Sequence, residues 1–407
     1  MLKRTLVCLD NSDWSVAASD AALALVSAFG GEVYGCHVYA ARLHDARFRS
    51  MEGALPPQYQ NEAALRHQRQ IHDSLITKGL QVISDSYTSV FLARAEVAGI
   101  RACAVSREGR NYEELLKEVS ENAYDFVVMG AYGLGLEQGQ VSAGRIGSVC
   151  ERLVRRSPAD CLIIKDTRPL FKKDSIFAAA IDGSPQSYAA LRAAVRIARP
   201  FDCRIHAVAA YDPFYHVRAF RSLAGVLSEE AGRLFRFKEQ ERLHEEVIDK
   251  GLAKVYKDHL DTAVEIGKEA GVEVRPVLLA GKPIDEIVKY AASTRVALLA
   301  AGRRGLHSTD SPLDASLGIG ATAENCLREA QCNILLTTGA YQPQSRSMSC
   351  ALQWDDEALS MLERIPSFAQ GVAKKMIEDR AAEAGIERIT PEFMRRVRSE
   401  MGGGHDI

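Results

Sequence analysis

Asp10 and Asp182 sit in matching surroundings, each ending a short apolar run that reads as a strand. In an open parallel sheet the ligand lies beyond the carboxyl ends of the strands, so either carboxylate is placed to meet one. The second chemistry-bearing element is Gly130-Ala-Tyr-Gly133, followed after a loop by Gly147-Ser148 at the head of a helix. Glycines admit a phosphate close to the backbone, and a helix start offers unpaired N–H groups and a positive dipole end to an anion. An aspartate, a glycine loop and a helix start together form the grammar of a nucleotide site. The later part of the chain carries the same grammar in Asp182, Gly302, Gly305 and Gly320, with Ala321 in place of Ser148 and Thr322 beside it. Taken singly, an aspartate after a strand is an ordinary cap or turn residue and paired glycines are ordinary turn glycines. The combination, present twice, carries the inference.

Other enzyme grammars are missing. No Gly-x4-Gly-Lys-Ser/Thr occurs, which argues against a P-loop kinase or ATPase. Gly318-Ile-Gly320-Ala-Thr-Ala323 fits the loose dinucleotide pattern but lacks a strand directly before it. No His, Cys or carboxylate cluster has metal-ligand spacing, and no catalytic set is evident. Arg303 and Arg304 read either as phosphate partners or as solvated surface charge. His44, Arg49 and His72 recur as His216, Arg221 and His244, which reads as inherited helix packing before it reads as a metal or anion site.

These elements are positioned by a repeat. Sliding the chain by 172 residues places Asp10 on Asp182, Ser15 on Ser187, Tyr39 on Tyr211, Phe48-Arg-Ser50 on Phe220-Arg-Ser222, Gly130 on Gly302 and Gly133 on Gly305. Past Gly133 the register moves by one, pairing Gly147 with Gly320, Glu151 with Glu324 and Arg155 with Arg328. Each copy alternates short strands with helices, which calls for a parallel sheet covered on both faces. The division is residues 1–168 and 172–339 for two α/β domains, 340–350 for a linker and 351–400 for a small all-helical module. In that module Trp354, Ala358, Met361, Leu362 and Ile365 recur at helical spacing, Pro366 opens a helix bearing Phe368, Val372, Met376 and Ile377, and Thr390-Pro391 caps another.

Composition excludes several classes. With 51 Lys+Arg against 53 Asp+Glu there is no whole-chain basic field to capture nucleic acid. Nine scattered cysteines without a CxxC pair argue against a disulfide framework or zinc ribbon. Apolar runs such as Val296–Ala301 are far too short for a membrane span, and a cytoplasmic location is expected.

The order of strand-Asp-x-Ser, His37-Val38, Val-Met-Gly130-x-x-Gly133, Gly147-Ser148-Val and Cys161-Leu-Ile-Ile resembles the universal stress protein family, twice over. The resemblance implies two tandem adenine-nucleotide α-hydrolase-like domains packed as an internal pseudo-dimer, with a homodimer left open. It further implies ATP or a related adenine nucleotide, with or without Mg, and a role as a stress-response regulator or sensor. Asp10 and the backbone of Val38 would contact adenine, while Gly130, Gly133, Gly147 and Ser148 would hold ribose and phosphates. Asp182, Gly302, Gly305, Gly320 and Thr322 would form a weaker second site. Thirteen residues separate Gly133 from Gly147, where the family has nine, and fourteen separate Gly305 from Gly320. The excess around Glu137–Gln140 is either a lid or an obstruction. The rival readings are a slow ATP-hydrolysing or nucleotidyl-transfer enzyme, with Glu137 as its one candidate base, and a non-binding interaction protein.

The tail, from Leu352-Gln-Trp354 through Glu363-Arg-Ile-Pro-Ser-Phe368 and Ala384-Gly-Ile-Glu-Arg-Ile-Thr390 to Arg398, resembles the small C-terminal domain of the light-independent protochlorophyllide reductase B subunit. No iron–sulfur ligand set accompanies it, so docking to an unknown protein partner is the expected role.

Overall fold

The computed structural model describes residues 2–135, 144–213, 249–306, 318–343, 353–365 and 388–400, with a few positions between the last two segments. The readings at Glu137–Gln140, His216, Phe220-Arg-Ser222, His244, residues 344–350, Pro366, Phe368 and Val372 lie outside the described residues.

The first half runs β1 (Arg4–Cys8), α1 (Asp13–Phe29), β2 (Glu32–Tyr39), α2 (Ala41–Met51), α3 (Glu62–Val97), β3 (Ala102–Glu108), α4 (Asn111–Glu121), β4 (Phe126–Gly130), α5 (Ser148–Arg156) and β5 (Asp160–Ile164). The second half runs β6 (Ile176–Ala180), α6 (Pro185–Ala198), β7 (Arg204–Tyr211), α7 (Asp249–Glu269), β8 (Val274–Ala280), α8 (Pro283–Ser293), β9 (Leu298–Gly302), α9 (Ala321–Glu329) and β10 (Asn333–Thr337). All ten strands join one sheet in the order β3-β2-β1-β4-β5-β10-β9-β6-β7-β8. Pairing is parallel inside each half, as the alternation of strand and helix predicts, and antiparallel only where β5 meets β10, Leu162 facing Leu335. Central strands such as Phe126–Met129 and Cys161–Ile164 are buried along their length, because helices cover both faces.

Local chemistry fixes the helices beside the crevices. Ser12 caps α1 by accepting from the Ser15 N–H, and Ala18, Ala21, Ala22 and Leu25 form its buried stripe. Gly35 lies against the Phe91 ring, where a Cβ would come within 2.4 Å, so α3 packs closely on β2. Nearer the start of α3, His72 stacks on Phe48 at 3.9 Å and on His44 at 5.4 Å, and Arg49 pairs with Asp45 at 2.9 Å.

Repeat-related residues meet at the seam between halves. Arg155 reaches Glu324, and Arg328 reaches Glu151 at 2.6 Å, while each arginine also contacts the glutamate of its own helix. The Lys165 ammonium donates to the carbonyls of Leu327, Arg328 and Ala330 at the end of α9. The charge ring is only about one-third exposed, so a double-mutant cycle on Glu151→Ala and Arg328→Ala is expected to give a coupling of about 0.5–3 kcal/mol. Strict additivity of the two thermal shifts would show that the ring contributes nothing.

Residues 344–407 form a separate unit. Its described core comprises Ala358, Leu362, Ile377, Ala381, Ile389, Phe393, Met394 and Val397. Helices α10 (Asp356–Glu363) and α11 (Pro391–Glu400) are joined by a two-residue parallel ladder between β11 (Gln353–Trp354) and β12 (Arg388–Ile389), which helical spacing alone does not reveal. Thr390 caps α11, its hydroxyl accepting from the Phe393 N–H. Among the described residues no helix is long and apolar enough to cross a membrane.

Candidate functional site

Strand order reverses between β1 and β4 and again between β6 and β9, which places a crevice beyond the strand ends in each half. The first crevice holds a cavity of about 370 Å³, and Asp10, Val38, Gly130, Gly133, Gly147 and Ser148 all line it.

Asp10 follows β1 and is held by the turn that starts α1. Its Oδ1 accepts from the Ser12 N–H at 3.0 Å and the Ser12 hydroxyl at 2.6 Å. No hydrogen bond to Oδ2 occurs among the described residues, and that oxygen lies 2.7 Å from where a Cβ on Gly133 would stand. The β1–β2 pairing ends at Cys8 and Cys36, with the Cys36 carbonyl accepting from the Leu9 N–H. Strand alternation therefore points the Val38 N–H and C=O toward the same side as those of Cys36, past the end of β1 and into the crevice. At the far end, Gly147 is the N-cap of α5 and brings no side-chain cap, which leaves the first-turn N–H groups facing the cavity.

The glycines differ in purpose. A Cβ on Gly130 would meet the Trp14 Cβ at 2.8 Å and the Tyr132 carbonyl at 3.0 Å, so Gly130 is needed for α1 to pack on β4. Gly147 lies against the Ala131 carbonyl and donates its N–H to it. Only Gly133 faces the open aspartate oxygen.

Sequence reasoning missed part of the lining. Arg145 stands beside the α5 start and adds a cation to the cavity wall; its signal was a basic residue two positions before the helix-opening glycine. Cys8, Cys36, Cys150 and Met129 make an apolar floor. Burial pushes the Cys36 thiol up to about 12 and the Cys150 thiol higher still, so both are neutral packing groups. Cys161 and Cys332 are likewise buried, with thiols raised chiefly by burial. Among the described cysteines Cys103 alone is exposed.

His37 also lines the cavity, and burial lowers its pKa despite the opposing charge of Asp10. In the second half burial, then Arg275 and Arg204, lower that of His206, whose Nδ1 bonds the Tyr290 hydroxyl at 2.7 Å. Both rings are kept neutral by the fold. Their stabilisation is fully present above the ordinary histidine pKa of about 6.5 and is lost as pH falls below it through their lowered folded values. The thermal midpoint is therefore expected to decline on acidification from pH 7.5 to 5, and His206→Asn should flatten that decline. A midpoint that rises over this interval would contradict the assignment.

The second cavity, about 400 Å³, is lined by Asp182, Gly302, Gly305, Gly320 and Thr322, together with Ala210, Ala321 and Tyr256. It differs where it matters most. Asp182 Oδ1 accepts from the Ser184 N–H and hydroxyl as in the first half, but Oδ2 accepts from the Leu306 N–H at 2.8 Å. Ala210 in place of Val38 costs little, since the backbone groups keep the same direction: the β6–β7 pairing ends at Ala180 and Val208. Of the two arginines offered as phosphate partners, Arg303 reaches across the seam to the carbonyls of Ser157 and Ala159. Arg304 remains in the cavity wall.

The fold and the two crevices define a tandem, doubly wound α/β protein with a cavity at the strand-order reversal of each half. The pattern of the universal stress protein family matches residues 1–165 and 176–338, and the chain belongs to that family. The pattern of the proto-chlorophyllide reductase 57 kD subunit matches residues 354–398. Universal stress protein MJ0531 of Methanocaldococcus jannaschii is 29% identical over 176 residues, 43% of this chain and 86% of its own length. The B subunit of the light-independent protochlorophyllide reductase of Chlorobium luteolum is 32% identical over 68 residues, which are 17% of this chain and 13% of that protein. A universal stress protein from Archaeoglobus fulgidus of known crystal structure is 15% identical, with a TM-score of 0.49 over 83% of this chain and 99% of its own.

Proposed function

We propose that the first half binds ATP or a related adenine nucleotide and that the chain is a nucleotide-responsive stress regulator. One observation carries this reading: a single cavity has the open Asp10 Oδ2 and the Val38 backbone pair at one end and the uncapped start of α5 at the other. The Val38 N–H and C=O complement an acceptor and donor side by side, as on the edge of adenine, and the α5 start complements phosphate. Asp10 is the one acidic residue among the described lining, so any Mg would be carried mainly by the nucleotide's own phosphates. His37, the titratable base in the wall, belongs to the β2 end, away from α5, which favours a sensor over a hydrolase.

Calorimetric titration of the whole chain with ATP, ADP, AMP and cyclic dinucleotides, with product analysis, tests the reading. Binding without turnover is the expected result, turnover would establish the enzyme, and no binding would leave an interaction protein. The C-terminal unit, with its own core, is proposed as a docking module for a protein partner, and the whole chain as cytoplasmic. A chain ending at Pro343 is expected to keep its nucleotide affinity. Aggregation or lost affinity would instead tie the module to the tandem body.

A further inference from the structure

Helices α1 and α6 occupy equivalent places in the repeat yet carry opposite charge. Helix α1 has Asp13 and Asp20 and no base, whereas α6 has Arg192 and Arg196 and no acid, with Arg199 in the turn that follows. At the repeat offset Arg192 replaces Asp20. Asp20 is paired with Arg94 at 2.6 Å, but the position matching Arg94 is Ile266 in α7, so the second copy has inverted the charge and lost the partner.

The three arginines fall at i, i+4 and i+7, on one face of the helix and over about 10 Å of its length at 1.5 Å per residue. All three are exposed and line a groove of about 1010 Å³. Aromatic rings hold two of them in place: the Arg192 guanidinium lies 4.0 Å from the centre of Tyr341, and that of Arg196 lies 5.6 Å from Phe29. A guanidinium stacked on a ring keeps its N–H edge available for an anion. Two acids share the wall, Asp160 and Glu269, and Asp160 is committed through Oδ1 to the Thr338 N–H and hydroxyl. The dipole at the end of α6 accounts for Arg196 and Arg199 but not for Arg192 in mid-helix.

We propose that this groove is an anion site, separate from both nucleotide crevices, for a chain of linked phosphoryl groups. Arginine forks engage phosphate oxygens two at a time. Three forks in a row suit several phosphoryl groups in line, and a single phosphate would satisfy only one or two of them.

The test is calorimetry on the whole chain with tripolyphosphate, orthophosphate and ATP. Tripolyphosphate is expected to bind at least tenfold more tightly than orthophosphate, and Arg192→Gln with Arg196→Gln should weaken it at least tenfold while the first equivalent of ATP binds as before. If that variant proves misfolded by its thermal midpoint, Arg192→Lys with Arg196→Lys replaces it, and because lysine keeps the charge but not the fork, weaker and more salt-sensitive tripolyphosphate binding is expected. A second ATP equivalent lost in the glutamine variant would show that nucleotide-borne chains enter the groove; a single equivalent would assign it to free polyphosphate. The proposal is overturned if tripolyphosphate does not bind, if the substitutions leave its affinity unchanged, if orthophosphate matches it, or if a single-stranded oligonucleotide outcompetes it. Because the groove and the first crevice are changed by different substitutions, failure of one leaves the other standing.

Discussion

Gly133→Val is expected to abolish nucleotide binding in the first half while leaving the thermal midpoint nearly unchanged. Among the described residues, a Cβ on Gly133 would stand 2.7 Å from Asp10 Oδ2 and would meet no other atom beyond its chain neighbours closer than the Asp10 carboxyl carbon at 3.9 Å. The clash is with the end of a side chain, so the carboxylate can turn aside within its Ser12 turn while the backbone stays in place. The branched side chain therefore covers the acceptor that a ligand needs. Gly133 does not have a positive φ, so a β-branched residue brings no left-handed strain, and the fold should tolerate it. Gly130→Val is the contrasting control: its Cβ would press on Trp14 and on the Tyr132 carbonyl, so a lower midpoint is expected there. Calorimetry showing wild-type affinity in Gly133→Val would remove the first cavity as the nucleotide site.

The fold was legible because the repeat doubled every signal. Short apolar strands bounded by helices, met twice in register, fix a parallel sheet far more firmly than either copy does alone, and the residues at the strand ends follow from the topology. The reasons behind individual residues were less visible. Gly130 and Gly133 look alike in sequence, yet one makes room for Trp14 and the other for the Asp10 carboxylate, a difference set by neighbours more than a hundred residues away. Arg303 sits between two motif glycines but reaches across the seam to Ser157 and Ala159, a partner choice created by the antiparallel meeting of β5 and β10. Arg145 escaped notice because its role depends on where α5 begins in space. The two-residue ladder of the C-terminal unit is too short to leave a period in the sequence.

Asp10→Ala should remove most high-affinity nucleotide binding, and Asp182→Ala little of it. The two aspartates share a turn and an Oδ1 environment, so only the second oxygen separates them. In the first half Oδ2 is open to the cavity; in the second it already accepts from the Leu306 N–H, and a ligand donor would have to displace that bond. Ala321 also lacks the hydroxyl that Ser148 brings to the helix start, although Thr322 lines the same cavity one position further on. A hydrogen bond to a charged group contributes about 1.5–3 kcal/mol, which at about 1.4 kcal/mol per tenfold is a ten- to hundred-fold loss of affinity for Asp10→Ala. Asp182→Ala should lower the thermal midpoint instead, because the Leu306 N–H and the Ser184 hydroxyl lose their acceptor while the first cavity is untouched. Equal losses of affinity in the two variants would mean that the Leu306 bond opens readily and that both halves bind alike. The capped oxygen would then be no barrier, and the replacement of Ser148 by Ala321 at the start of α9 would cost the second site nothing either.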